Sequence, residues 1–194
     1  MSIKKNKMIS YVETYKYDWD SDGVIDNQES QHTSYDSKGN LISEVSENDQ
    51  NADGIIDSRS SHQYVLDKKG NLISETSEHD SDGNGSIDSR FLFQHVYDKK
   101  GNLIRETSRY DYDGDGSIDG VELEEYTYDR KGNLIRTNSE FDRGLDGIID
   151  GWDWSQYEYN SKGNLISKVR EYDYYEGDDG TLKGRESSTY AYDE

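Results

Sequence analysis

The sequence predicts an all-β fold built from tandem 31-residue β-hairpin repeats, an elongated antiparallel sheet or spiral with acidic loops at one end. Three observations lead there. Asp18, Asp49, Asp80, Asp111, Asp142 and Asp173 each stand 31 residues after the last, and Gly23, Gly54, Gly85, Gly116 and Gly147 keep the same step. A fixed period of this kind marks an array of equal structural units. Between these loops lie segments of about eight or nine residues, rich in Val, Ile, Thr, Ser and aromatics, several with the period-two alternation of strands. They are too short for the helices that would flank a helical calcium hand. A second repeated signal, as in Tyr35-Asp36-Ser-Lys-Gly39-Asn40-Leu41-Ile42, recurs through Gly70-Asn71, Gly101-Asn102, Gly132-Asn133 and Gly163-Asn164. A type I turn followed by glycine in the left-handed region closes a hairpin in this way. That register sets Tyr35 opposite Leu41, Ser34 opposite Ile42 and Val96 opposite Ile104. A parallel β-solenoid is the alternative architecture.

The chain reads as a single repeat array. Residues 1–17 form an N-terminal half repeat, in which Val12-Glu13-Thr14 matches Ser43-Glu44-Val45. Residues 18–172 hold five loop-and-hairpin repeats, and 173–194 a divergent capping repeat. In that last unit two extra residues bring Leu182 onto the usual Ile position and Lys183 onto the ninth loop position. There the ammonium would neutralise Asp173 and Asp179 without an ion.

The loops carry the chemistry. Oxygen side chains at alternate positions around a glycine suit a hard cation, and calcium draws six to eight oxygens from positions 1, 3, 5, 7, 9 and sometimes 12 of such a loop. Position 1 is Asp18, Asp49, Asp80, Asp111 and Asp142. Position 3 is Asp20, Asn51, Asp82 and Asp113, with Gly144 in the fifth loop. Position 5 is Asp22, Asp53, Asn84, Asp115 and Asp146, and position 9 is Asp26, Asp57, Asp88, Asp119 and Asp150. The backbone carbonyls of Val24, Ile55, Ser86, Ser117 and Ile148 occupy position 7. Glu29 and Glu122 complete the pattern at position 12, where the other loops have Ser60, Phe91 and Asp153. In a strand, position 12 points to the opposite face from position 9, so Asp26 and Asp119 are the stronger ligand candidates. Ile25, Ile56, Ile87, Ile118 and Ile149 at position 8 would turn away from the metal. Asp-Gly pairs also make ordinary turns, but five copies in register point to about five calcium ions.

These loops resemble the calcium loops of dockerins, thrombospondin type 3 repeats and EF-hands over nine to twelve residues of each repeat. The Tyr-Asp-x-x-Gly-Asn-Leu-Ile signature resembles the YD repeats of bacterial toxin shells and teneurins. That resemblance implies β-hairpin sheets that wind into shells or act as extracellular spacers.

Composition narrows the function classes. Only 30% of residues are hydrophobic, and 17 residues are Tyr, so a deep core is not expected. The formal net charge of −20 combined with low hydrophobicity favours disorder until something neutralises the loops. Folding is therefore expected to be coupled to calcium. The acidity excludes nucleic acid and anionic membrane surfaces as partners, no apolar run reaches the length of a membrane span, and the chain has no cysteine. A basic stretch, Met1 to Lys7, precedes no hydrophobic signal region. The expectation is an extracellular or cell-surface module, with the cytoplasm as alternative.

No catalytic constellation stands out, so a non-enzymatic structural or adhesive role of a bacterial surface or secreted protein is expected. The alternatives are a carbohydrate-binding module and an intracellular calcium buffer or sensor. For the former, Trp19, Trp152 and Trp154 join the tyrosine columns Tyr35, Tyr97, Tyr128, Tyr159 and Tyr64, Tyr126, Tyr157, which otherwise serve cross-strand packing. A glycan or another protein surface would then be the partner. His32, His62, His79 and His95 read as ordinary exposed residues. Open strands at both ends predict end-to-end association or a sheet curled over its edges.

Ligand charge ranks the sites. Loop four, with five carboxylates, should fill before loop five, where Gly144 removes a ligand and Arg143 adds a repelling charge. Asp115→Ala should therefore cost more stability in calcium than Asp146→Ala, as measured by thermal melting. Equal losses would show that place in the array outweighs ligand chemistry.

Overall fold

The computed structural model describes residues 9–173 and 184–191. Most of the expected capping repeat and the first half of the N-terminal half repeat lie outside them. Twelve strands run through the described residues: β1 (Ile9–Tyr17), β2 (Asn27–Tyr35), β3 (Leu41–Asp49), β4 (Ser58–Leu66), β5 (Leu72–Asp80) and β6 (Ser89–Tyr97). They continue with β7 (Leu103–Asp111), β8 (Gly120–Tyr128), β9 (Leu134–Arg143), β10 (Gly151–Tyr159), β11 (Leu165–Asp173) and β12 (Gly184–Thr189). Strands adjacent in sequence are adjacent in hydrogen bonding. This antiparallel meander is the expected run of hairpins and not a parallel solenoid. No helix among the described residues is long and apolar enough to cross a membrane.

The chain divides into two compact units, Met1–Phe93 with Tyr110–Ser117, and Gln94–Arg109 with Ile118–Glu194. In the first, β1 to β5 pair in order, each acidic loop following an odd strand and each tight turn an even one. The second repeats that plan over β8 to β12. The tight turns close as expected: Gly39 (φ +88°) donates its N–H to the Asp36 carbonyl at 3.1 Å, and Asp36 donates its own to Asn40 at 2.8 Å. Equivalent bonds close the turns at Asp67, Asp98, Asp129 and Asn160.

One register expectation is corrected. Tyr35 does pair with Leu41, but Ser34 pairs with Ser43 and leaves Ile42 as the extra residue of a bulge. The same shift skips Ile73, Ile135 and Ile166. Charge explains it. Extending the unshifted register would set Glu29 opposite Glu47, Glu122 opposite Glu140 and Asp153 opposite Glu171. Like charges directly opposite are destabilising. With the bulge, Glu29 faces Asn48, Glu122 faces Phe141 and Asp153 faces Tyr172.

Among the described residues no hydrophobic side chain is buried, and the buried ones are polar: Asn27, Asp49, Ser77, Asp80, Ser108, Asp111, Ser155 and Asp173. Half-buried rings take the place of a core. In the first unit His62 meets His79 at 6.1 Å, His79 meets Phe91 at 5.8 Å and Phe91 meets Tyr110 at 5.9 Å, all edge-on. His62 and His79 thus belong to an aromatic row instead of being plain exposed residues, and His95 lies half-buried 3.1 Å from a Glu106 oxygen. His32 is exposed, as expected.

The turn aspartates hold their carboxyls below the usual range. For Asp36, Asp67 and Asp129 the largest cause is the side-chain amide of the asparagine four residues on, and for Asp98 it is the backbone N–H of Asn102. A depressed folded pKa stabilises fully above the unfolded value and loses that contribution as pH falls through the folded value. Carboxyl NMR should show these four groups titrating below ordinary aspartate. Amide protection in their turns should fall with them, while the turn built on Asn160 keeps its protection. Ordinary titration at all four would refute the assignment.

Candidate metal centres

Each acidic loop is held by its own carboxylates before any ion is considered. The position-1 aspartate stands at or beside the end of an odd strand and accepts the N–H of the loop glycine five residues on. These bonds are 2.9 Å at Asp18, 2.8 Å at Asp49 and Asp80, and 3.1 Å at Asp111 and Asp142. The position-9 aspartate accepts the N–H of position 2, at 2.7 Å for Asp26, Asp57 and Asp88 and 2.5 Å for Asp150. Position 5 accepts the N–H of position 7, as in Val24 to Asp22 and Ile55 to Asp53 at 2.8 Å and Ser86 to Asn84 at 2.7 Å. Ser117 to Asp115 and Ile148 to Asp146 repeat it. The Ser117 backbone N–H is the main reason the Asp115 carboxyl lies below its ordinary value. Each carboxylate so engaged still has a second oxygen.

Those oxygens converge in three loops. Ligand atoms of Asp18, Asp20 and Asp22, of Asp80, Asp82 and Asp88, and of Asp111, Asp113 and Asp115 lie within 4.8 Å of one another. Among the described residues loops two and five gather no such acidic triad, for a legible reason: Asn51 and Gly144 stand at position 3. Asp26 bonds the loop backbone but is outside the first triad, and Asp119 belongs to the second unit. At position 12, Glu29 accepts from the Tyr17 hydroxyl at 3.4 Å and Glu122 from Ser139 at 3.1 Å, and neither joins a triad. The position-7 side chains Val24, Ile55 and Ile148 are exposed.

A second observation sets loops three, four and five apart from loops one and two: the Oδ1 of Asp142, on a half-buried residue, is buried without a hydrogen-bond partner among the described residues, and the same holds more deeply in loops three and four. Asp80 is 5% exposed and Asp111 1%, yet the Oδ1 of each has no hydrogen-bond partner among the described residues. In loops one and two the matching oxygen accepts the position-5 N–H, at 3.2 Å on Asp18 and 3.1 Å on Asp49. A buried carboxylate oxygen left without a donor costs about 1–3 kcal/mol or more. Oxygen ligands of this kind, in this number, fit a hard divalent cation. Arg90 approaches the other oxygen of Asp111 only to 3.9 Å. Sequence spacing located these aspartates but carried no sign of which would be buried.

Comparison with known proteins adds little. No protein-family model matches the chain, and no curated protein does. A porin-like protein from Bacteroides uniformis is similar in structure at 12% identity and TM-score 0.30, over 91% of this chain and 92% of that one. The Tc holotoxin pore of Photorhabdus luminescens aligns at 14% identity and TM-score 0.21, over 89% of this chain and 13% of that one. Scores so low do not define a shared fold.

Asp111→Asn keeps the shape and the acceptor for Gly116 but removes the charge. It should lower the number of calcium ions bound by one, counted by calorimetric titration, whereas Asp98→Asn in a tight turn should leave the number unchanged. An unaltered count for Asp111→Asn would remove it from the ligand set.

Proposed function

We propose that the chain is a calcium-binding, calcium-stabilised repeat module with a structural or adhesive role in a bacterial surface or secreted protein. The observation that carries this reading is the pair of buried aspartates, Asp80 and Asp111, each offering an unpartnered oxygen beside two further carboxylates. In such a loop calcium supplies the charge that lets these carboxylates sit together. Loops one, three and four would hold it through their triads, and loops two and five, whose acids gather no triad, through separate carboxylates with Asn51, backbone carbonyls and water. With no buried apolar side chain among the described residues, loop closure has little else to oppose the self-repulsion of a chain carrying net charge −20.

A second reading, carbohydrate binding, draws on a hollow of about 430 Å³ in the first unit, lined by Tyr15, Gln31, Ser46, Asn48, Ser60 and His79 among others. Its lining is mostly polar and charged, with the exposed Tyr15 and the His79 ring as its aromatic members. A glycan array in calcium separates the two readings.

Excess chelator should remove most of the β signal in circular dichroism and lower the melting temperature sharply, and calcium should restore both. A melt unchanged by chelator would overturn the calcium reading.

A further inference from the structure

Consecutive acidic loops are closer than the repeat period alone requires. At position 4 of loop three, a side-chain carbon on Gly83 would overlap the carbonyl oxygen of Ile56. At position 4 of loop four, one on Gly114 would overlap that of Ile87. Both contacts lie within the first unit. Ile56 and Ile87 occupy position 8 of the preceding loop, so each carbonyl belongs to the peptide that leads into the position-9 aspartate, Asp57 or Asp88. Gly83 joins Asp82 to Asn84 and Gly114 joins Asp113 to Asp115, the position-3 and position-5 oxygens of the next loop. One backbone contact therefore ties the ninth-position ligand of a loop to the third- and fifth-position ligands of its successor.

Conformation alone does not call for glycine here. The same loop position is Ser21 (φ 61°), Ala52 (φ 53°) and Leu145 (φ 53°) in the other loops, beside φ 68° at Gly83 and 70° at Gly114. Side chains occupy this left-handed position three times. What singles out Gly83 and Gly114 is the neighbouring carbonyl. Each follows an aspartate, Asp80 or Asp111, with a buried oxygen lacking a donor among the described residues, as Leu145 follows Asp142 in loop five.

Resting on the calcium reading above, we infer that the sites of loops two, three and four are coupled, so that filling one raises the affinity of the next. Gly83 and Gly114 are the positioning residues that carry the coupling. An ion in loop two fixes Asp57 and with it the Ile56 carbonyl. That carbonyl then fixes the peptide between Asp82 and Asn84, so loop three pays less ordering entropy when its own ion arrives. Coupling of this kind is reciprocal between sites and commonly amounts to between five- and 150-fold in affinity.

The test is calcium titration of the full chain, followed by calorimetry and by the amide NMR signals of Gly54, Gly85 and Gly116. Wild type should fill these three loops with a Hill slope above one. Gly83→Ala should bind as many ions but weaken loops two and three by about tenfold and bring their slope towards one. Ala52→Gly, which alters the same loop position without a clash, should titrate as wild type. If Gly83→Ala does not fold, removing a ligand from each neighbour replaces it. Asp53→Ala should then weaken loop three, and Asp82→Ala should weaken loop two by the same factor. Independent filling in wild type, or loss confined to the mutated loop, overturns the coupling and leaves the calcium sites standing. No calcium binding by wild type sinks the sites themselves and the coupling with them.

Discussion

Aspartate oxygens accepting backbone N–H groups close nearly every change of direction in the described chain. In the tight turns Asp36, Asp67, Asp98 and Asp129 each take the N–H two and four residues ahead and the side-chain amide of the following asparagine. In the long loops positions 1, 5 and 9 do the same over five, two and seven residues. Charge-assisted bonds are the strong members of their class. They matter more here because no apolar side chain among the described residues is buried to hold the strands from the other side. Cross-strand pairs supply the remainder: the ring row from His62 to Tyr110, and partly exposed ion pairs such as Arg90 with Glu78, each of the latter worth about 0–1 kcal/mol.

Building turns from carboxylates concentrates like charge, and the structure answers that in two of three places. Within the sheet, the bulges at Ile42, Ile135 and Ile166 shift the returning strand so that glutamates and aspartates miss one another. At the tight turns the lysines reach along the array: Lys38 donates to the Lys68 carbonyl at 3.3 Å, Lys100 to that of Arg130 at 3.0 Å and Lys131 to that of Ser161 at 3.3 Å. At the triads of loops one, three and four no lysine donates in this way among the described residues. Arg90 stays 3.9 Å from Asp111, and three carboxylates gather in each triad. The loop ends are thus where an added cation has most to gain.

The period, the strands, the acidic loops and the glycine turns were all legible in the residues, because each depends on chemistry within a dozen positions. The 31-residue step exposed the loop aspartates directly, and Gly39-Asn40 announced the hairpin. What escaped was non-local. Whether Ser34 faces Ile42 or Ser43 bears on Glu29 and Glu47, which would meet only across the ladder. The histidines followed no column of the repeat, so His62 and His79 gave no hint that two different strands would bring them edge to edge. Burial at the first loop position differs among copies with the same letter, since Asp111 is shut in while Asp18 and Asp142 are only half-covered. The glycines at Gly83 and Gly114 looked like drift within the loop until the preceding carbonyl was placed against them.

That last difference bears on how a repeat array can grade its own units. Two strands of separation put successive loops about 9.6 Å apart in an untwisted sheet, too far for backbones to touch unless the loops lean along the array. Loops three and four do lean on the copy before them, and in the second unit the Gly144 N–H donates to the Asp119 carbonyl at 2.5 Å. Loop two carries Ala52 where loops three and four carry glycine. Identical ligands would therefore not give identical sites. The position-1 oxygen that accepts the loop's own amide in loops one and two is buried without a donor among the described residues at Asp80, Asp111 and Asp142, in the loops that stand against the copy before them.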